Sequence, residues 1–154
     1  MSMMHAADMA GLHWSAAYLG QPWANAPNSD CWGFVRRVWR DRWALDVPPL
    51  SVDATSARAC ARAAADVSDG PQWLVIELAQ AHEGDAVLLA RGGHPSHVGL
   101  WVATGGVLHC LQGRGVVYTP AGRLAAQGWP QRRIYRHASG ATLRPAAVLL
   151  EPGA

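Results

Sequence analysis

A thiol nucleophile, a general base and a group that orients the base can be built from one cysteine and two histidines. The sequence offers Cys31, His97 and His109 for these parts. Cys31 follows Asn28-Ser29-Asp30 directly, a polar helix-start signal, so its thiol falls in the first turn of a helix. The free N–H groups and positive dipole end there lower a thiol pKa. Asp30 reads as the N-cap carboxylate, and Gly33 leaves open space beside the thiol for a substrate or another strand. Cys60, in the middle of an alanine-rich stretch, reads instead as a buried, inert thiol. His97 opens the run His97–Val102 and His109 lies in Val107-Leu108-His109-Cys110. A three-residue Thr104-Gly105-Gly106 turn makes these two runs a hairpin and sets His109 opposite Trp101, on the same face as His97. That register leaves the two rings about four residues, or roughly 13 Å, out of step along the ladder. Contact between them then needs a bulge, strong coiling or a longer connection.

The elements that must position these side chains fall into two halves. Met9, Leu12, Ala16 and Leu19 recur at helical spacing and predict a short helix over Met9–Tyr18. A second helix runs from Cys31 to about Trp43, with Phe34, Val35, Val38 and Trp39 as its apolar face. Arg36, Arg37, Arg40 and Arg42 form its solvated side. Asp53 is expected to cap a third helix, Ala54 to about Val67. From residue 73 onward the texture changes to short apolar runs between glycines: Trp73–Leu78, Ala86–Ala90, His97–Ala103, Val107–Leu111, Val116–Tyr118 and Arg133–Arg136. Arg123–Gln127 has room for one helical turn, and Asp85 reads as a turn residue entering a strand. Helices first and strands after, without βαβ alternation, predict an α+β domain with a meandering antiparallel sheet. The domain is expected over residues 1–137, with an Ala/Pro/Gly-rich tail over 138–154 that has room for a strand at Ala146–Leu150.

Composition excludes several classes. The chain has 154 residues, 50% of them hydrophobic and 16% charged, which is too apolar for a disordered polymer. A net charge of +2 is too small for a nucleic-acid footprint. Three cysteines without repeated spacing do not make a disulfide framework. No apolar window is long enough to span a membrane, and residues 1–20 lack the basic-then-apolar pattern of an export signal, so synthesis in the cytoplasm is expected. Tryptophan, with eight copies against one phenylalanine, supplies the large aromatic area. Trp23, Trp32 and Trp101 lie near the candidate thiol and histidines in sequence and are candidates for lining a groove, while Trp14, Trp39, Trp43, Trp73 and Trp129 are assigned to core or interface.

Four fragments occur in a telling order: Ser29-Asp30-Cys31-Trp32-Gly33-Phe34-Val35, Gly84-Asp85-Ala86-Val87-Leu88, His97-Val98-Gly99-Leu100 and Leu108-His109. Together they resemble the motifs of the NlpC-type cysteine peptidases, papain-like bacterial cell-wall hydrolases, over roughly residues 12 to 136. Asp30-Cys31-Trp32-Gly33, with Tyr18-Leu19-Gly20-Gln21-Pro22-Trp23 upstream, looks most like the branch found in phage and gene-transfer-agent tail modules. The resemblance implies a papain-like fold with Cys31 as nucleophile, His97 as general base and His109 as the third polar residue. It also implies that the two histidines converge, against the simple hairpin register. The implied substrate is a peptidoglycan stem peptide cut at a γ-D-glutamyl bond, with no cofactor; Trp32, Trp23 and Trp101, by their nearness to the site, and Asp30 beside Cys31 are the candidates for contacting it. The implied setting is a virion or tail particle, with tail-tip proteins as partners. Two residues depart from the family pattern: Trp32 stands where many members have a serine that helps bind the stem peptide's free amine, and Trp23 where many have a tyrosine.

Other readings compete. His94, His97, His109 and Cys110 are potential zinc ligands, but Pro95 breaks the helix that would align the first two, and adjacent strand residues face opposite ways. A tail protein can keep the fold as an inactive assembly piece, and an acyltransferase can use the same thiol and base.

Overall fold

The computed structural model describes residues 13–139. The expected strand at Ala146–Leu150 and the first part of the expected Met9–Tyr18 helix lie outside these residues. Of the latter, a 3₁₀ turn at Trp14–Ala17 is what forms in the described part.

Helix α1 spans Cys31–Trp43, as the sequence predicts. Asp30 caps it, its Oδ1 accepting the Gly33 N–H at 2.7 Å. Phe34, Val35, Val38 and Trp39 are fully buried against the sheet, each worth about 1.5–3 kcal/mol of burial. The arginine side is not simply solvated. Residues 44–50 fold back along the helix, where the Val47 carbonyl accepts from Arg36 Nε at 2.6 Å and the Pro48 carbonyl from Trp32 Nε1 at 3.1 Å. Arg36 is therefore buried, while Arg40 and Arg42 stay exposed. Gly33 also serves the chain itself: a Cβ there would lie 2.2 Å from the Pro27 carbonyl oxygen, so its bareness admits the entry loop and not a substrate.

Helix α2 spans Ala57–Ser68 and is capped by Ser56, whose Oγ accepts the Ala59 N–H at 3.1 Å. Asp53 does not cap it. Its Oδ1 is occupied by the Thr55 N–H at 3.0 Å and the Thr55 hydroxyl at 2.6 Å. This local turn competes with helix formation and postpones it to the next polar residue that can serve as a cap.

Six strands follow: β1 Trp73–Ile76, β2 Ala86–Arg91, β3 His94–Val102, β4 Gly106–Leu111, β5 Gly115–Pro120 and β6 Gln131–His137. They form one antiparallel sheet in the order β1-β6-β2-β3-β4-β5. β2 to β5 meander, and β6 returns to insert between β1 and β2. A half-buried ion pair ties that insertion to the start of β2: Arg136 on β6 donates to both carboxylate oxygens of the buried Asp85, each at 2.8 Å. Asp85, which also accepts the His82 N–H, is thus more than a turn residue. β3 starts earlier than expected because Gly92 and Gly93, both at positive φ (64° and 90°), close a two-residue hairpin between Arg91 and His94. One sheet face packs on α1 through Val98, Leu100, Leu108 and Cys110. The other carries Val87, Leu89, Trp101, Val107 and Ile134, covered by Leu124 and Trp129. A 3₁₀ turn forms at Ala121–Arg123, overlapping the helical turn expected at Arg123–Gln127 only at Arg123; residues 124–128 continue as turn.

Candidate active site

The β3–β4 hairpin resolves the register conflict. Its loop is Ala103-Thr104-Gly105, one residue earlier than expected, so Trp101 faces Val107 and Leu100 faces Leu108. Gly106 is part of the strand, and only glycine fits there: a Cβ would lie 2.4 Å from the Tyr118 hydroxyl. Continued one rung further, this register brings His109 beside Gly99 and halves the stagger from His97. Gly99 then removes the obstacle: a Cβ on it would lie 2.8 Å from His109 Cβ and 2.5 Å from Val107 Cγ1. The two rings meet diagonally across the bare glycine, His97 Nε2 to His109 Nδ1 at 2.8 Å.

The network continues outward and fixes the protons. Thr119 Oγ1 donates to Gln127 Oε1 at 3.0 Å, so it accepts from His109 Nε2 at 2.9 Å. His109 therefore carries its proton on Nε2 and accepts at Nδ1 from His97 Nε2–H. That leaves His97 Nδ1 as the basic nitrogen. Burial lowers the His109 pKa to about 4 and, with the nearby charge of His109 and Arg91 as lesser causes, holds His97 well below the ordinary imidazole value. Trp129 stacks on the His97 ring, with centroids 4.9 Å apart and planes 21° apart. Arg91 lies 4.0 Å above the Trp129 ring and donates to the Gly128 carbonyl at 2.6 Å.

Cys31 meets β3 from the helix side. The β3–β4 pairing ends at Leu100 and Leu108; beyond it the Val98 N–H is directed at the Cys31 sulfur. Cys31 and His97 line the same two hollows. One is a long groove of 1020 Å³ running past Trp23, Arg58, Arg62, Arg91 and Trp129. The other is a small cavity of 60 Å³, nearly all apolar, between α2 and the sheet. At the first position of α1, the Cys31 N–H has no acceptor among the described residues. The expected low thiol pKa does not hold in the free protein. Burial pushes the Cys31 thiol up to about 12, outweighing the Val98 and Trp32 N–H groups that pull it down. The resting pair is a neutral thiol and a neutral imidazole.

Asp30 is buried as the cap of α1 and lines the apolar cavity, and burial raises its pKa. Trp32 walls the same cavity, and Trp23 lines the groove. Trp101 lines neither hollow; it is 8% exposed in the second core, because its strand position faces Val107. Cys60 is not sealed in a core but half-buried, lining both hollows beside Cys31. Among the described residues no cluster of three or more His, Cys, Asp or Glu side chains is placed to hold a metal ion, and no helix is long and apolar enough to cross a membrane. Thr119, Gln127 and Trp129 went unnoticed as site residues. Each belongs to a late strand or turn, and only the sheet register carries it to the histidines.

The sequence profile of the NlpC/P60 family matches residues 17–136. The chain belongs to the NlpC/P60 family. That family comprises cell-wall hydrolases that act as cysteine peptidases. The fold agrees with it: the crystal structure of the NlpC/p60 domain of the peptidoglycan hydrolase SagA superposes with a TM-score of 0.51 at 22% identity, over 78% of this chain and 91% of that one. The two helices on a six-stranded antiparallel sheet are the papain-like arrangement of NlpC/P60 domains. No curated protein matches this chain.

Proposed function

We propose that this NlpC/P60 protein is a cysteine endopeptidase of peptidoglycan stem peptides, with Cys31 as nucleophile, His97 as base and His109 as the group that orients it. The observation that carries the reading is the proton arrangement. The chain Gln127–Thr119–His109–His97 leaves Nδ1 as the basic nitrogen of His97, and His97 and Cys31 line the same groove.

The reaction follows from these groups. A substrate carbonyl enters above Cys31, and the Cys31 S–H proton passes to His97 Nδ1 as the sulfur bonds to the carbonyl carbon. The pair starts neutral, so charge appears only as the bond forms, when the developing oxyanion can accept the free Cys31 N–H. One such donor is worth about 2.7–4 kcal/mol in comparable sites. His97 then gives its proton to the leaving nitrogen, the C–N bond breaks and a thioester remains. Water, deprotonated by His97 Nδ1, attacks the thioester, breaks the C–S bond and releases a carboxylic acid with the thiol restored. His97 keeps its Nε2 proton on His109 throughout, so the base cannot rotate into the wrong tautomer.

The family's chemistry and the γ-D-glutamyl preference implied by the resemblance make the stem peptide the substrate class. Delivery by a phage-type tail particle is proposed on the likeness of Tyr18–Trp23 and Asp30–Gly33 alone; co-purification with tail-tip proteins tests it. The main test is incubation of reduced protein with purified sacculi and a synthetic L-Ala-γ-D-Glu-diaminopimelate peptide, with products read by mass spectrometry. Cleavage at the γ-amide is expected, with Cys31→Ala slower by a factor of about 10⁴ or more at unchanged melting temperature. Intact substrate with the native protein, or equal rates with Cys31→Ala, overturns the reading.

A further inference from the structure

The groove over Cys31 and His97 has an unbalanced charge. Arg58 and Arg62 line it from α2, Arg91 lines it near His97, and no aspartate or glutamate lines it at all. Among the described residues the ion pairs are Arg136 with Asp85 and His13 with Glu83, so none of the groove arginines is neutralised from within. Arg91 is at least tethered, to the Gly128 carbonyl and the Trp129 ring. Arg58 and Arg62 have no hydrogen-bond partner among the described residues. Arg36, Arg37 and Arg136, outside the groove, donate to acceptors of the protein, whereas exposed arginines such as Arg40 and Arg114 resemble Arg58 and Arg62 in making no such bond but do not line the groove.

The placement of Arg58 and Arg62 works against the helix that carries them. Arg58 sits in the first turn of α2, which holds no acidic residue, and there a cation opposes the macrodipole. Arg62 follows four residues later on the same side, where like charges repel. An anion bound in the groove relieves both penalties. A cleft lined by one sign of charge also concentrates ligands of the other sign, and a guanidinium matches a carboxylate with two parallel hydrogen bonds.

The inference rests on the stem-peptide reading above and deepens it. A glutamate linked through its γ-carboxyl keeps its α-carboxylate free, at roughly 5 Å from the scissile carbon by bond lengths alone. We propose that Arg58 and Arg62 recognise that free carboxylate, so that the enzyme prefers stem peptides in which it is ionised over those in which it is capped as a carboxamide.

Binding tests this independently of turnover. Cys31→Ala protein is titrated with L-Ala-γ-D-Glu-diaminopimelate, with the same peptide bearing a D-Glu α-carboxamide, and with the peptide amidated at the side-chain carboxyl of its third residue. The free peptide is expected to bind about tenfold tighter than the α-carboxamide. The preference should shrink with rising salt. It should vanish in the Cys31→Ala/Arg58→Ala/Arg62→Ala protein and partly return with Arg62→Lys. Equal affinity for the free and α-amidated peptides overturns the proposal, as does a preference that survives loss of both arginines. Discrimination at the third-residue carboxyl alone overturns the assignment to D-glutamate. Selective binding without hydrolysis by the native protein would refute the peptidase reading and leave the carboxylate site standing.

Discussion

The two helices of this NlpC/P60 chain flank the same groove and are built on opposite principles. α1 buries eight of its thirteen residues and is gripped on one side by the sheet and on the other by residues 44–50. α2, one residue shorter and half alanine, has no buried residue at all. The first delivers the thiol, and the second supplies arginines and the wall of a small apolar cavity. Reaction geometry tolerates errors of only a few tenths of an ångström, so it is placed on elements that cannot move without breaking the core. Recognition of a flexible peptide tolerates more, and the proposal assigns it to the less buried of the two helices. Damage on the α1–β3–β4 side should therefore appear in kcat, and damage on the α2 side in KM.

The largest effect is expected at Gly99. Gly99→Ala puts a methyl group 2.8 Å from His109 Cβ and 2.9 Å from the Leu108 carbonyl oxygen, so β4 must retreat and the two rings part. A stability loss of about 1–3 kcal/mol is expected from the overpacking, together with a fall in kcat of about 100-fold or more; denaturant unfolding and peptide turnover measure the two. Near-native kcat would break the link between register and chemistry. Thr119→Val sharpens it more gently. The isosteric valine leaves His109 Nε2 without its acceptor and releases the tautomer, for an expected kcat loss of about 10–100-fold with KM unchanged. Thr119→Ser should restore most of the activity.

Titration separates the two sides without mutation. Burial keeps His97 neutral to well below its ordinary value, so the acid limb of kcat/KM should lie below about pH 6.5, with no thiol-driven rise up to pH 9. An acid limb at or above the ordinary histidine value would sink the neutral-pair description. Stability follows the same groups. Folded His109 has a pKa of about 4 against about 6.5 unfolded, so the unfolded chain binds the extra proton in between, and stability is full above pH 6.5 and lost as pH falls toward 4. That loss amounts to about 3 kcal/mol for His109 alone, and urea midpoints at pH 7 and pH 4.5 should reveal most of it.

Much of this was written in local sequence. Asn28–Asp30 marks the start of α1, and the spacing of Phe34, Val35, Val38 and Trp39 marks its buried face, because both signals are short-range. The strands appear where apolar runs end at glycines. What escaped depends on contacts between distant segments. The hairpin turn lies one residue earlier than the glycine pair suggests, with Gly106 in the strand beneath Tyr118 of the next strand, where a Cβ would not fit. Such a slip, invisible locally, decides whether two histidines meet. The return of β6 between β1 and β2 depends on Arg136 finding Asp85 across 51 positions. The thiol pKa went the other way for a similar reason: the helix start is a local signal favouring the thiolate, and burial, which outweighs it, is a property of the whole fold.

The smallest expected effect uses two caps of the same kind. Asp30 and Ser56 each accept the N–H three residues ahead, at 2.7 Å and 3.1 Å. Deleting the second, as Ser56→Ala, should cost about 1 kcal/mol, the ordinary worth of an N-cap. The first turn of α2, which carries Arg58, then frays more often. No core residue anchors that turn, so the fraying does not reach Cys31 or the histidines, and kcat should stay within about twofold of native while KM rises two- to threefold. A proportional loss of kcat would mean that α2 helps to set the thiol's position, and the division of labour between the two helices would fail. An unchanged KM would mean that Arg58 is held in the groove by something other than the helix it belongs to.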